Sequence, residues 1–308
     1  MPIAEQDPWR KPFFAGVRCP ARVFIPTEDA DAYRLYPAHR WVYNKLLIAE
    51  TQGLPHGPHG LAPPTFPVFS KPIYNLRGMG EGSRVLRSRA DYIRHQAPGH
   101  MWMALLDGEH VSSDAAVIAG RPVWWRHTTG KAGAHGTFDY WTIHAAAKRR
   151  LERYLSEWIG RTLATYSGYL NFETIGGRII ETHLRLTDQW PDLYGGKAWV
   201  EALVALYSRK RWPLDDRERR TGYSVILFGP HGYRYRKPAA RTVAALLKRP
   251  GISSLQLTFH EDRDPTHHAM PPGGFRLAIV NCWDLDAGKA VRRTLAEHFR
   301  TARRRART

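Results

Sequence analysis

The pattern of apolar and polar positions changes period along the chain, and each change marks an element. Between 168 and 185 the run Gly-Tyr-Leu-Asn-Phe-Glu-Thr-Ile-Gly-Gly-Arg-Ile-Ile-Glu-Thr-His-Leu-Arg alternates through two short segments split by Gly176-Gly177. β-Branched and aromatic residues fill both segments, and a glycine pair supplies the positive φ angles of a two-residue turn. A hairpin with arms at 169–175 and 178–184 is therefore predicted. Side chains alternate along a strand, so Asn171 and Glu173 share one face of the first arm, and Glu181, His183 and Arg185 share one face of the second. Any hairpin with one wet face alternates in this way. The makeup of this face points further: oxygen ligands suit Mg²⁺, and a guanidinium suits phosphoryl oxygens.

Elsewhere the periods are simpler. Residues 1–40 are punctuated by Pro8, Pro12, Pro20, Pro26 and Pro37, with short apolar runs at 13–17 and 21–25 that read as strands. From Trp41 the period turns helical through Val42, Leu46, Leu47 and Ala49, with Lys45 inside and a stop at Gly53. An apolar strand at 66–73 contains Lys71 and precedes Gly78, Gly80 and Gly82, with Arg77 and Arg84 alongside. Alternating glycines let a backbone fold closely over an anion, although the run lacks the ending of a Walker loop and the spacing of a dinucleotide fingerprint. On its own it is as compatible with an ordinary turn.

Strands follow at 101–106, 115–118 and 123–126, joined by tight glycine turns into a meander. The stretch 144–163 is an amphipathic helix, with Leu151, Leu155, Trp158 and Ile159 opposite Lys148, Arg149, Arg150 and Arg153. Beyond the hairpin come a helix at 199–207, a strand at 223–228, a helix at 238–247, strands at 254–259 and 275–282, and a closing helix at 286–299. His260, Glu261, Asp262, Asp264, His267 and His268 occupy a polar stretch with Pro265, which reads as a solvated loop rather than a metal cluster.

Composition narrows the class without naming it. The chain has 308 residues, 43% hydrophobic and 24% charged, an ordinary globular balance that excludes wholesale disorder. Its 46 basic and 28 acidic residues give a formal charge of +18, which calls for an anionic partner or a basic host proteome, and part of the excess lies in the arginines of 292–307. Charge alone does not establish nucleic-acid binding. Cys19 and Cys282 offer neither a disulfide framework nor a metal spacing. No run of about 18 apolar residues is present, and the first residues lack the pattern of a secretory signal, so a soluble cytoplasmic protein with no membrane partner is expected.

In its order of features the chain resembles the ATP-grasp superfamily over about 41–200. Asn44-Lys45 matches the Asn-Lys or Asp-Lys pair of an early helix, Lys71-Pro72 a strand ending Lys-Pro, and Gly78, Gly80 and Gly82 the flexible loop. Gly108-Glu109 and Asp114 match a Gly-Glu element, and Asn171 with Glu181-Thr-His183-Leu-Arg185 matches the acidic residue and the Glu-x-Asn-x-Arg that close the family's site. Asn171 stands where the family has a metal-binding carboxylate, and His183 where it has asparagine. Glu173, on the same face, would restore the lost charge. Imidazole suits softer divalent ions than Mg²⁺, which brings Mn²⁺ into consideration.

The resemblance implies an α+β fold of two subdomains clamping a nucleotide cleft, with a reduced N-terminal segment at 1–40. The core would be 41–208, divided into a lid-like part at 66–120 and a metal and phosphate part at 121–208. An α/β portion with a basic tail, 209–308, would pack on it. It implies an ATP-dependent ligase that joins a carboxylate to an amine through an acyl phosphate. Lys45 and Lys71 would hold the α- and β-phosphates, the three glycines would close over the β- and γ-phosphates, and Arg185 would steady the transferred phosphoryl group. Glu181 with Asn171, His183 or Glu173 would hold Mg²⁺, Glu109 would accept from the ribose, and the backbone around Leu105 would read adenine. Arg126, His127, Lys131, His135 and Asp139 would lie on the acceptor side. The alternatives are a degenerate protein of the same fold that holds a nucleotide or anionic polymer without turnover, and a direct nucleic-acid binder stacking bases on aromatic residues.

Overall fold

The computed structural model describes residues 3–5, 7–76, 80, 82–134, 136–187, 189–262 and 274–303. The N-terminal segment forms β1 (Ile3–Ala4), α1 (Lys11–Phe14), β2 (Ile25–Pro26) and α2 (Asp29–Leu35), followed by a 3-10 turn at Arg40–Tyr43 and α3 (Lys45–Glu50). Strands were expected at 13–17 and 21–25. Pro12 instead sits in the first turn of α1, where its missing N–H costs nothing, and only Ile25–Pro26 pairs as a strand. The helix expected from Trp41 is interrupted at Asn44, whose backbone is extended and whose Oδ1 accepts from the Leu46 N–H at 3.0 Å. An asparagine that caps a helix restarts it, and here the restart fixes Lys45 in the first turn.

A small antiparallel sheet follows, built from β3 (His56–Pro58), β4 (Val68–Pro72), β5 (Arg84–Leu86) and β6 (His100–Ala104) in the order β3-β6-β4-β5. Val68, Leu86 and Trp102 on one face pack on Tyr92 of α4 (Arg89–Arg94). Met101 and Met103 on the other meet Ala49 of α3, with Phe69, Ile73, Leu106 and Ile180 around them. This sheet begins earlier and ends earlier than the 66–120 read from the sequence, because the strand after Glu109 pairs elsewhere.

That strand is β7 (His110–Ile118), which joins an eight-stranded sheet with β8 (Arg121–Ala132), β9 (Phe138–Ile143), β10 (Gly168–Ile175), β11 (Arg178–His183), β12 (Gly222–Gly229), β14 (Ile252–Leu257) and β15 (Phe275–Cys282). Its order is β11-β10-β7-β8-β9-β12-β15-β14, antiparallel throughout. The edge strand β13 (Tyr233–Arg236) pairs separately with β16 (Arg300–Arg303). Both faces of the large sheet are covered. Ala115, Val117, Leu170 and Phe172 pack on Leu155, Trp158 and Ile159 of α5 (Arg149–Thr162). Their neighbours Ala116, Trp124, Trp141 and Tyr169 face Leu193 and Tyr194 of α6 (Pro191–Tyr194), Trp199 and Leu203 of α7 (Lys197–Arg209), and Phe14 and Ile25 of the N-terminal segment. A third core joins Val225, Leu227, Val280 and Cys282 to Leu246 of α8 (Ala240–Leu247) and to Val291 and Leu295 of α9 (Leu285–His298). Burial on both sides explains why the second half of β7, Ala115 to Ile118, is a continuous apolar run, while its first half buries the polar Ser112, Ser113 and Asp114. The α+β class expected from the sequence is the one found. Among the described residues no helix is long and apolar enough to cross a membrane.

Candidate functional site

The hairpin β10–β11 carries the site. Gly176 and Gly177 adopt φ of 55° and 78°, as the turn requires, and strand register sets Asn171 opposite His183 and Glu173 opposite Glu181. Partners directly opposite in an antiparallel pair point to the same face, so the four polar side chains gather there. The turn itself is clamped: the Gly176 N–H donates to the Glu109 carbonyl at 3.1 Å, and a Cβ on Gly176 would lie 2.2 Å from the Asp107 carbonyl oxygen.

Two lysines reach this face from different elements. Lys45, only 6% exposed, places Nζ 3.0 Å from Glu181 Oε1, and its backbone N–H donates to the Ile73 carbonyl at 3.1 Å, tying α3 to the end of β4. Lys71, equally buried, donates from Nζ to the Ile180 carbonyl at 2.8 Å. Burial pulls the Lys71 ammonium down to about 8, with Glu181 and Glu173 opposing the shift and Lys45 adding to it. Glu173 is 3.2 Å from His110 Nε2. Burial would raise its carboxyl, but the His110 hydrogen bond and charge outweigh that and hold it well below the usual range, while the same contact raises the imidazole against its own burial. Phe69, Ile73, Leu106 and Ile180 form a partly buried apolar lining beside Lys71.

A second layer lies one strand inward. Asn171 spends both amide hydrogens on Ser112 Oγ and Asp114 Oδ1, each at 2.9 Å, which leaves its carbonyl oxygen as the atom for any other partner. Asp114 also accepts from Thr187 at 2.8 Å and Tyr194 at 2.7 Å. Burial nevertheless pushes its carboxyl up to about 6 against these hydrogen bonds.

Arg185 and His183 converge on a residue that the sequence reading did not single out. Asp29, at the start of α2 and 3% exposed, accepts from His183 Nδ1, Arg185 Nε and Arg185 Nη2 at 3.0 Å each, and from the Tyr43 hydroxyl at 3.1 Å. Burial would raise the Asp29 carboxyl, but Arg185 and His183 hold it far below the normal range. Nothing local in Thr27-Glu28-Asp29 signals this pairing, which spans more than 150 positions. His110 was legible in principle, since 110, 112 and 114 share a face of β7.

The remaining candidates are dispersed. Gly80 and Gly82 form the turn region between β4 and β5, with φ of 63° and 75°, whereas Gly78 and Arg77 lie outside the described residues. Leu105 is exposed, and Glu109 pairs with Lys148 at 2.8 Å. The segment read as an acceptor loop is mostly strand. His127 points to the α5 side, bonded to Ser113 at 2.9 Å and Glu152 at 3.0 Å, and Asp139 pairs with Arg292 of α9. Lys131 is exposed, and His135 lies outside the described residues. Arg126 alone shares the Asp114 face; it is buried, its Nη2 donates to the Arg220 carbonyl at 2.8 Å, and its Nε has no hydrogen-bond partner among the described residues. Among the described residues no three His, Cys, Asp or Glu side chains converge to enclose an ion.

No protein-family model and no curated protein sequence matches the chain. Solved structures do. An L-amino acid ligase from Bacillus licheniformis superposes with a TM-score of 0.61 at 13% identity, over 96% of this chain and 84% of that one. A phosphoribosylamine–glycine ligase from Thermotoga maritima gives 0.61 at 14%, over 92% and 84%. The chain has the ATP-grasp fold. A biotin carboxylase from Campylobacter jejuni, solved as a beta-gamma-ATP complex, gives 0.58 at 12%, over 91% and 75%. Within the ATP-grasp fold described above, the small sheet with α3 faces the hairpin of the large sheet, and Lys45, Lys71 and Glu181 meet between them.

Proposed function

We propose that the chain is an ATP-dependent ligase that joins a carboxylate to an amine or a related nucleophile. One observation carries the reading: Lys45 and Lys71, on separate elements, are buried beside Glu181, on a face that also presents Glu173 and Asn171. Lys45 is balanced by Glu181, but the buried Lys71 ammonium donates to the Ile180 carbonyl and to no carboxylate among the described residues, so an anionic ligand would stabilise it, and a triphosphate with its counter-ion provides one. The structural neighbours include ligases and a biotin carboxylase bound to beta-gamma-ATP, which supports the same class of reaction.

Lys45 and Lys71 hold the phosphates, and Gly80 and Gly82 belong to the loop that closes over them. The apolar lining around Leu106 receives the base, with the backbone at Leu105 and the Glu109 carboxylate as contacts for adenine and ribose. Glu173 and Glu181 stand opposite each other and are partly exposed, which fits a Mg²⁺ held by one or two carboxylates and substrate phosphates rather than by a protein cage. The Asn171 carbonyl is a further oxygen ligand, and a bound Mg²⁺ would neutralise phosphate charge. His183 has one ring nitrogen, Nε2, left for such a role, and an imidazole ligand makes Mn²⁺ an alternative ion.

The chain's own residues then position the reactants. A substrate carboxylate oxygen attacks the γ-phosphorus, the bond to the β-γ bridging oxygen breaks, and ADP departs, with Arg185 beside the transferred group. The nucleophile adds to the acyl carbon, phosphate leaves, and the amine proton passes to solvent. Binding of ATP with Mg²⁺ should raise the melting temperature of the wild type, and Lys71→Ala should remove most of the rise. ADP release should require both Mg²⁺ and an added carboxylate. A wild type unshifted at millimolar ATP refutes the assignment. The reading in which the fold binds nucleotide without turnover draws on Asn171 in place of a carboxylate; ATP binding with no ADP release under any carboxylate would favour it.

A further inference from the structure

The N-terminal segment is short, yet it reaches the centre of the proposed site. Asp29 is surrounded by donors from three elements: His183 Nδ1 on β11, Arg185 just beyond it, and Tyr43 in the 3-10 turn. The Tyr43 hydroxyl is itself fixed, since it accepts from the Leu184 N–H at 3.2 Å. A carboxylate that is fully enclosed and bonded on both oxygens is a permanent fixture rather than a gate that opens during turnover.

The segment is anchored behind Asp29 as well. Arg10, buried, pairs with Glu5 at 2.8 Å, with Asp7 at 2.9 Å and with Glu28, the residue before Asp29, while Phe14 and Ile25 lie in the large-sheet core. A chain of charges and a strip of core therefore run from the first residues to Arg185.

The donor count gives the arrangement a consequence. A guanidinium has five N–H donors. Asp29 takes two of those on Arg185 and the Leu186 carbonyl, at 3.2 Å, takes one, so with respect to the described residues two remain for oxygens of a ligand. On His183 the Asp29 contact occupies Nδ1 and leaves Nε2 as the ring nitrogen with a free valence. A carboxylate that fixes one imidazole nitrogen so that the other faces a cation is the usual support of a histidine ligand.

We propose that Asp29 is a positioning residue of the phosphoryl-transfer site, through which the N-terminal segment fixes the His183 ring with Nε2 available to the nucleotide-bound ion and fixes Arg185 with two donors available to phosphoryl oxygens. The inference rests on the ATP-dependent reading above and gives 1–40 a part in that site.

The test uses the full chain with ATP and either Mg²⁺ or Mn²⁺, read by calorimetric affinity and by the melting temperature without ligand. Asp29→Asn keeps the shape and loses the charge; it should weaken metal-ATP binding by roughly 10–100-fold, the usual cost of removing a support behind a metal ligand, and more with Mn²⁺ than with Mg²⁺. Tyr43→Phe removes one bond to Asp29 and leaves both cationic partners, so it should lower the melting temperature without changing affinity. Asp29→Glu should recover part of the lost binding. If Asp29→Asn does not fold, nitrogen-detected NMR of the wild type decides: Nδ1 of His183, assigned with His183→Gln, should carry a hydrogen-bonded proton, and Mn²⁺ with ATP should broaden Nε2 first. Unchanged affinity in Asp29→Asn, equal affinity losses in Asp29→Asn and Tyr43→Phe, or broadening of Nδ1 before Nε2 would each overturn the proposal. A wild type that binds no ATP with either ion would overturn the ligase reading as well, whereas normal wild-type binding with an indifferent Asp29→Asn sinks this inference alone.

Discussion

Lys71 shows how one buried charge links structure to a measurable pH dependence. Its ammonium sits between Glu181 and Lys45 with a single carbonyl partner, and burial brings its pKa to about 8. Below that value the residue is charged and ready for a phosphate, so ATP affinity should not vary on its account. Above it the free protein must first regain a proton, and affinity should fall by about tenfold per pH unit until the pKa of the complex is reached. Titration calorimetry between pH 7 and 9.5 should show the fall in the wild type. Lys71→Arg stays charged throughout and should flatten the curve even if it binds less well. A wild-type affinity that is level to pH 9.5 would mean either that Lys71 keeps its charge to that pH or that it does not touch the nucleotide, and an unchanged affinity in Lys71→Ala would identify the second. At this scale the sequence exposed what strand alternation exposes: Asn171, Glu173, Glu181 and His183 share a face because positions two apart must. It could not expose Asp29, whose partners lie at 183 and 185, whereas the turn of His127 to the opposite side of the sheet from Arg126 follows from the same alternation once the strand is seen to continue past 126.

Among elements, the hairpin turn offers a comparison between neighbours with the same backbone demand and different surroundings. Gly176 and Gly177 both have positive φ, so alanine at either costs about 1–2 kcal/mol of left-handed strain. A Cβ on Gly177 meets nothing within 4 Å, whereas one on Gly176 would lie 2.2 Å from the Asp107 carbonyl oxygen. Overpacking adds about 1–3 kcal/mol, so Gly176→Ala should lose clearly more stability in denaturant than Gly177→Ala. Equal losses would show that the linker at 107–109 yields freely. The hairpin was legible because its signals are local: a period of two, β-branched residues and a glycine pair. The strands at Arg121–Ala132 and Phe138–Ile143 were missed beyond 126 because Gly130, Gly133 and Gly136 read as a loop. Gly130 is there for another reason: a Cβ would come within 2.7 Å of the Phe138 ring, so its absence lets that ring lie across the neighbouring strand. The helix at 41 was misplaced for a similar reason, since Asn44 reads as a tolerable interior residue until its cap is seen.

For the whole molecule the decisive pairing is between β9 and β12. The sequence suggested an α/β portion, 209–308, packed on the core, and its cluster of Val225, Leu227, Val280 and Cys282 under α8 and α9 would by itself suit a separate unit. Yet Tyr223, Ser224 and Val225 pair with Thr142, Trp141 and Tyr140, so the large sheet crosses position 208 without a break. The other core crosses it too, since Ile226 packs with Trp141, Trp190 and Leu193. Gln189 in the loop before α6 accepts through its carbonyl from Asn281 at 2.8 Å and Gln256 at 2.7 Å, which ties the segment after the site hairpin to the last two strands of the sheet. A fragment ending at 208 would leave the β9 edge unpaired, expose the apolar side chains of that shared core, and release the loop that holds Thr187 against Asp114. Expressed alone, 1–208 should therefore lack a cooperative thermal transition and be cut rapidly by protease, and a separately made 209–308 should restore neither property unless the two associate tightly. A 1–208 fragment that melts cooperatively and still gains stability from ATP would show that the site is supported by the first two-thirds of the chain, and would return the C-terminal portion to the status of an attached unit.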